Sequence, residues 1–233
     1  MNLLFKISGE FFSASNDLTN DGVLFFNTLK ESEITSGYMV VGGGNRIRGG
    51  QIDVSSSRNS PALTRNTSDK LGVLSTLFNS FLLSEFLNFM GFKSVVLTHF
   101  SDFGVKYSPE VAISYFDQGY WVIFGGGLGS VGYVSTDLSS VIKSLEVGVD
   151  AMVKVTKVDG VYDMDPSLND SKILNKVSYS HIIEKKLSVL DLSSVSIASE
   201  NQLPIGVCSV KNFKSFLKKE DGSVGSIIGY DWR

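Results

Sequence analysis

Short apolar runs alternate with longer stretches in which apolar residues return every three or four positions, from one end of the chain to the other. The runs at 2–7, 38–41, 94–97, 120–124, 151–155, 205–208 and 225–228 are continuous rather than alternating, which predicts strands covered on both faces. Between them, 17–30, 68–90, 109–118, 136–146 and 190–201 have helical spacing. The clearest helix is 68–90, where Leu71, Leu74, Leu77, Phe78, Phe81, Leu82, Phe86 and Phe89 share one side. Ser68 or Asp69 is expected to cap its start, and Gly91 to end it. Strands alternating with helices predict an α/β protein with a mainly parallel sheet between helical layers. The polar stretch 49–65 and the segment 163–188 show no period and are expected as loops. No repeat or linker composition divides the chain, so 1–233 is expected as one domain.

Two of the apolar runs are interrupted by a cation. The first strand carries Lys6 and runs into Ser8-Gly9; the run at 151–155 carries Lys154 and precedes Thr156-Lys157. A lysine in a covered strand is costly unless an anion neutralises it or its stem reaches an opening. A glycine just past the strand lets backbone N–H groups approach such an anion. Together the two segments point to a site for a highly charged phosphate compound.

Three further segments bear on that site. Gly42-Gly43-Gly44 follows a strand and precedes Arg46 and Arg48. It reads as an anion nest with charge-assisted partners, or as a plain turn before a loop. The cluster 125–132 contains GxGxxG from Gly127 to Gly132. A dinucleotide fingerprint opens directly into a helix, however, and here helical spacing resumes only after Ser135-Thr136-Asp137. That tripeptide reads as a helix start aimed at an anion, or as simple capping. Lys157, Asp159-Gly160, Tyr162 and Asp165-Pro166 form a strand end and turn able to hold a base, or an ordinary loop.

Composition narrows the classes. The chain is 42% hydrophobic and 19% charged with net charge −3, enough for a sizeable core and without the basic block that nucleic acid would require. No apolar run reaches the ~18 residues of a membrane span. Lys6 and Glu10 break any leader pattern at the N-terminus, so a cytoplasmic protein is expected. The single cysteine, Cys208, forms no internal disulfide or paired-cysteine metal site and is expected as a buried strand thiol. No Gly-Lys pair exists, which excludes the P-loop nucleotide site. His99 and His181 lack an acid or nucleophile context and are read as packing or surface residues.

In order, Lys6-Ile7-Ser8-Gly9-Glu10, Val41-Gly42-Gly43-Gly44-Asn45 with Arg48-Gly49, Ser68-Asp69-Lys70-Leu71-Gly72, Ser135-Thr136-Asp137 and Thr156-Lys157-Val158-Asp159-Gly160-Val161-Tyr162 resemble the bacterial UMP kinases of the amino-acid kinase superfamily. The late segment 198–205, ASENQLPI, is similar to the closing helix and strand of that family. The resemblance implies a three-layer αβα sandwich with a central sheet of about eight strands, assembled as a homohexamer. It implies transfer of the γ-phosphoryl group of ATP, with Mg²⁺, to UMP, and a possible response to GTP as activator and UTP as inhibitor. By the same resemblance Lys6, Ile7, Ser8, Gly9, Gly44, Arg48, Thr156, Tyr162 and Asp165 would hold ATP. Gly43, Asp69, Leu128, Gly129, Ser130, Val131, Gly132, Tyr133, Val134, Ser135 and Thr136 would hold UMP, and Lys6, Arg48, Asp137 and Lys157 would act in the transfer. The chain departs from the family between 127 and 137, where the loop is one residue longer and lacks an Asn-Pro pair. The alternatives are a sister enzyme phosphorylating a carboxylate or carbamate, and a non-catalytic nucleotide-sensing regulator.

Overall fold

The computed structural model describes residues 1–44, 64–164, 171–218 and 224–230. In chain order the strands are β1 (Leu3–Ile7), β2 (Gly37–Val41), β3 (Ser94–Thr98), β4 (Val105–Lys106), β5 (Trp121–Gly125), β6 (Ala151–Thr156), β7 (Val161–Tyr162), β8 (Ile173–Leu174), β9 (Lys176–Val177), β10 (Ile205–Ser209) and β11 (Ser226–Ile228). The helices are α1 (Asn20–Glu31), α2 (Arg65–Phe89), α3 (Pro109–Asp117), α4 (Thr136–Val147), α5 (Tyr179–Lys185), α6 (Leu192–Glu200) and α7 (Phe213–Lys218). One nine-stranded sheet runs β4-β3-β5-β2-β1-β6-β10-β11-β9, parallel except where β11 meets β10, and β7 pairs with β8 apart from it.

Side-chain alternation in the strands builds two cores. Leu4, Tyr38, Val40, Val122, Phe124 and Met152 face one way, against Ala112 of α3, Val141 of α4, Ile182 of α5 and Val195 of α6. Leu3, Phe5, Ile7, Met39, Val41, Trp121 and Val153 face the other way, against α1, α2 and α7. The result is the expected αβα sandwich, with nine strands in the main sheet rather than eight. Phenylalanines fill the second core: Phe25 stacks on Phe213 at 5.1 Å, meets Phe11 at 5.3 Å, and Phe213 takes the edge of Phe5 at 5.5 Å.

Helix starts follow local chemistry. Thr19, Ser108, Ser135, Ser178 and Asp191 cap α1, α3, α4, α5 and α6 with side-chain oxygens. For α2 the cap is Thr64, whose Oγ1 accepts from the Thr67 N–H at 3.2 Å, and not Ser68 or Asp69. The extra turn is polar and exposed, so the apolar period does not register it. Gly91, with φ +91°, follows the other end. The segment 163–188 is not one loop: it holds β8, β9 and α5, elements too short to show a period. Cys208 is fully buried in β10, and burial pushes its thiol pKa up. No helix among the described residues is long and apolar enough to cross a membrane.

Phe25→Ala would open a void where three aromatic rings now meet. It is expected to cost about 3–5 kcal/mol of stability, read as a lower urea midpoint with an unchanged denaturant slope.

Candidate active site

Lys6 and Lys154 are register partners across the parallel ladder of β1 and β6. By alternation both leave the same face of the sheet, near the carboxyl ends of their strands. β1 lies between β2 and β6, where successive connections leave to opposite sides, the position at which parallel sheets open a crevice. α4 crosses β1, β2 and β6 on that face. Ser135 accepts from the Leu138 N–H at 2.9 Å and starts α4, so Asp137 in the first turn is set directly over the two lysines.

Asp137 bridges them. Its Oδ1 lies 3.1 Å from Lys6 Nζ and its Oδ2 2.6 Å from Lys154 Nζ. Lys154 also donates to the Val189 carbonyl at 2.7 Å. Burial by itself would raise the Asp137 pKa; the Lys6 and Lys154 charges outweigh it and hold the carboxyl below its ordinary range. Burial pushes Lys154 down, with Asp137 opposing and Lys6 adding to the depression.

On the Lys6 side lies a cavity of about 480 Å³, lined by Lys6, Ser8, Gly9, Gly43, Gly44, Asp69, Leu128, Val131, Tyr133, Val134, Ser135 and Thr136. The two glycine turns that enter it touch each other: a Cβ on Gly9 would stand 2.2 Å from the Gly42 carbonyl oxygen. α2 fixes the second turn from behind. Buried Asn79 donates to the Gly42 carbonyl at 2.8 Å, and Ser75 Oγ donates to the Gly43 carbonyl at 2.9 Å. On the Lys154 side a second cavity of about 600 Å³ is lined by Lys154, Thr156, Tyr162, Asp163 and the segment 185–189.

Asp69 latches the loop between β5 and α4. Its Oδ2 accepts from the Tyr133 N–H at 2.9 Å, its Oδ1 from Arg65 Nε at 2.9 Å, and Arg65 lies over the Tyr133 ring. Tyr133 is held at φ +62°, uncommon for a bulky residue. The loop's other side rests on His99, which a Cβ on Gly129 would approach to 3.2 Å. His99 lies near fully buried Lys143, which pairs with Glu146 at 2.9 Å and sits 3.3 Å from the Tyr107 ring centre. Burial first, and Lys143 second, depress the His99 pKa, so the ring is neutral and packs.

Other expected residues stand elsewhere. Ile7 is buried in the opposite core. Gly129, Ser130 and Gly132 belong to the loop without lining the cavity. Lys157, expected to act in the transfer, is largely exposed and pairs with Glu10 at 2.6 Å, because one residue beyond Thr156 the chain has left the ladder. Arg48 and Asp165 lie outside the described residues. The sequence reading missed Asp191, which caps α6, accepts from Ser135 Oγ and lines the first cavity. Its only signal is an acid preceding a helical period.

Asp137→Asn would leave Lys6 and Lys154 facing each other with one weak acceptor. Loss of the shared carboxylate is expected to cost about 3–5 kcal/mol, whereas Lys157→Ala should change stability by about 1 kcal/mol or less. Because the folded carboxyl is held below its unfolded value, its contribution is full above about pH 4 and is lost as pH falls through the folded value. Urea titrations of the three proteins between acid and neutral pH check both expectations.

Residues 2–209 match the model of the amino acid kinase family. The uridylate kinase of Buchnera aphidicola is 34% identical over 236 residues, covering 97% of this chain and 96% of its own length. The uridylate kinase of Wolinella succinogenes is 32% identical, covering 97% and 96%. The crystal structure of UMP kinase from Bacillus anthracis superposes with a TM-score of 0.84 at 27% identity, over 99% of this chain and 96% of that one. With the αβα sandwich, the paired lysines at the carboxyl ends of β1 and β6 and a family match over most of the sequence, the chain belongs to the amino acid kinase family.

Proposed function

We propose that this protein transfers the γ-phosphoryl group of ATP to UMP, giving UDP and ADP. The observation that carries the reading is the Lys6–Asp137–Lys154 bridge between the two cavities, with two glycine turns beside Lys6. Such a site suits two phosphate chains brought end to end. The activity named for the relatives supports UMP as acceptor.

The acceptor oxygen of a nucleoside monophosphate is mostly ionised at neutral pH, since its second pKa is ~6. No general base is needed, in keeping with a His99 committed to packing. The obstacle is repulsion between two polyanions, and phosphoryl transfer is served by alignment and charge compensation. Lys6 would hold the transferring phosphoryl group, and amides near Gly9 and between Gly42 and Gly44 would bind its oxygens. Asp137 fixes both ammonium groups before substrate arrives, so little reorganisation is needed. Thr156, Tyr162 and Asp165 would hold the ATP nucleoside, and Arg48 would add a cation opposite Lys6. Asp69, Leu128, Val131, Tyr133, Val134, Ser135 and Thr136 would enclose UMP.

A kinase using ATP works with a divalent metal, here taken as Mg²⁺. The described residues contain no group of three or more His, Cys, Asp or Glu side chains that could hold a metal ion, and both Asp137 oxygens face lysines. That donor set fits an ion carried on the ATP phosphates, where it offsets their charge, rather than one caged by protein. We read 1–233 as one unit, since β1 and β11, from opposite ends of the chain, share a sheet. Leu74, Phe78, Phe81 and Phe89 of α2 are exposed, an apolar surface suited to assembly as a homohexamer. A cytoplasmic location and response to GTP and UTP belong to the same reading.

Lys6→Ala is expected to lower UDP formation by ~10²–10³-fold with an unchanged circular dichroism spectrum; near-normal turnover would remove the residue from the transfer step. Asp69→Ala should raise KM for UMP far more than it lowers kcat, because the loop loses its latch. A coupled assay with ATP, Mg²⁺ and UMP, CMP or acyl acceptors, with and without GTP and UTP, measures both and separates the reading from a carboxylate or carbamate kinase.

A further inference from the structure

The second cavity is lined by two cations that no reading above has used, Lys185 and Lys186, and only the second also borders the recess beside Asp137. Lys186 terminates α5 with φ +51° and ψ +43°. Its N–H donates to the Ile183 carbonyl at 3.3 Å and the Leu187 N–H to the Ile182 carbonyl at 3.1 Å, closing the helix end. Glycine is the cheapest residue there, since a Cβ crowds the neighbouring carbonyl in the left-handed region. After α2, α3 and α4 this chain uses glycine at positive φ: Gly91, Gly119 and Gly148. Among the described residues Lys186 and Gln202 are the non-glycine residues at positive φ next to helix ends, and of these two only Lys186 borders the second cavity.

Position sharpens the contrast. Lys186 lines the second cavity together with Lys154, Thr156 and Tyr162. It also lines an adjoining recess of about 360 Å³ that contains Asp137, Lys154 and Asp191. Lys186 therefore borders both the nucleoside space and the recess of the paired lysines. Its ammonium has no hydrogen bond or ion pair among the described residues. Lys6, Lys154 and Asp137 sum to one positive charge, and Asp191 borders the same recess, so little net positive charge is left between the cavities. A triphosphate carries several negative charges, so these lysines alone under-compensate it.

We infer that Lys186 binds the polyphosphate of the nucleoside triphosphate, between the nucleoside and the phosphoryl group held at Lys6. The inference rests on the reading of the second cavity as the ATP site. Chain direction at the helix end delivers the side chain, and the strained backbone is retained because glycine offers no cation. A lysine that merely offset the dipole of the α5 carbonyl end would be redundant with Lys185 in the last turn.

Lys186→Gly separates the two roles because it relaxes the backbone while removing the charge. The expected result is ATP affinity, measured by calorimetry with Mg²⁺-ATP, reduced by about ten- to a hundredfold. KM for ATP should rise in parallel and KM for UMP stay put, while the melting temperature is unchanged or higher. Lys186→Arg should retain most of the affinity. ATP affinity within about twofold of the parent in Lys186→Gly overturns the inference, whatever the melting temperature does, and leaves the residue as a helix terminus. If the parent protein binds ATP but forms no UDP, the proposed acceptor fails while the calorimetric comparison still decides the role of Lys186.

Discussion

Two ammonium groups stand side by side across a parallel ladder, where neighbouring strands are only ~4.8 Å apart. Lys6 and Lys154 would repel each other there, and neither strand can move without breaking the sheet. The constraint is met by one carboxylate, Asp137, reaching both from the first turn of α4. Much of the site's construction follows from that requirement. α4 must start at Ser135, the β5–α4 loop must end above the strand tips, and the 187–191 segment must pass close enough for the Val189 carbonyl to accept a hydrogen bond from Lys154.

The bridge also explains why the cavities flank it. A carboxylate shared by two cations leaves each ammonium only partly satisfied, so both remain available to an incoming anion. Anions approaching from opposite sides meet at the same point. The glycine turns complete the arrangement because only glycine permits Gly9 to lie against Gly42, and α2 pins the second turn through Asn79 and Ser75. The buried face of α2 carries Ser68, Thr76, Ser80 and Ser84 as well as leucines, and Asn79 and Ser75 stand among them. The place of these two is set by the Gly42 and Gly43 carbonyls they satisfy, not by packing.

The loop over the first cavity is held from two sides. Asp69 latches it to α2, and the neutral His99, resting near the buried Lys143–Glu146–Tyr107 group, supports it from beneath. Each support comes from a different layer of the sandwich, so closing the loop depends on the layers being assembled. The loop turns through left-handed backbone at Gly126, Gly127, Gly129 and Tyr133.

Among the described residues, residue pattern alone determined the seven longer strands and five of the seven α-helices, because a strand covered on both faces and an amphipathic helix leave strong periods. It also marked Lys6, the glycine turns and the Ser135-Thr136-Asp137 helix start, since a charge in an apolar run and a cap before a period are local signals. It did not reveal β4, β7, β8, β9, α5 and α7, whose few residues gain stability from neighbours rather than from their own pattern. Nor did it show which lysine, besides Lys6, Asp137 would pair with. That choice rests on register: Lys154 pairs with Lys6 inside the ladder, and Lys157, three residues on, lies past its end. The roles of Asp191 and Lys186 were likewise decided only in three dimensions, because a helix cap and a helix end become parts of a site only when the fold turns them toward a cavity.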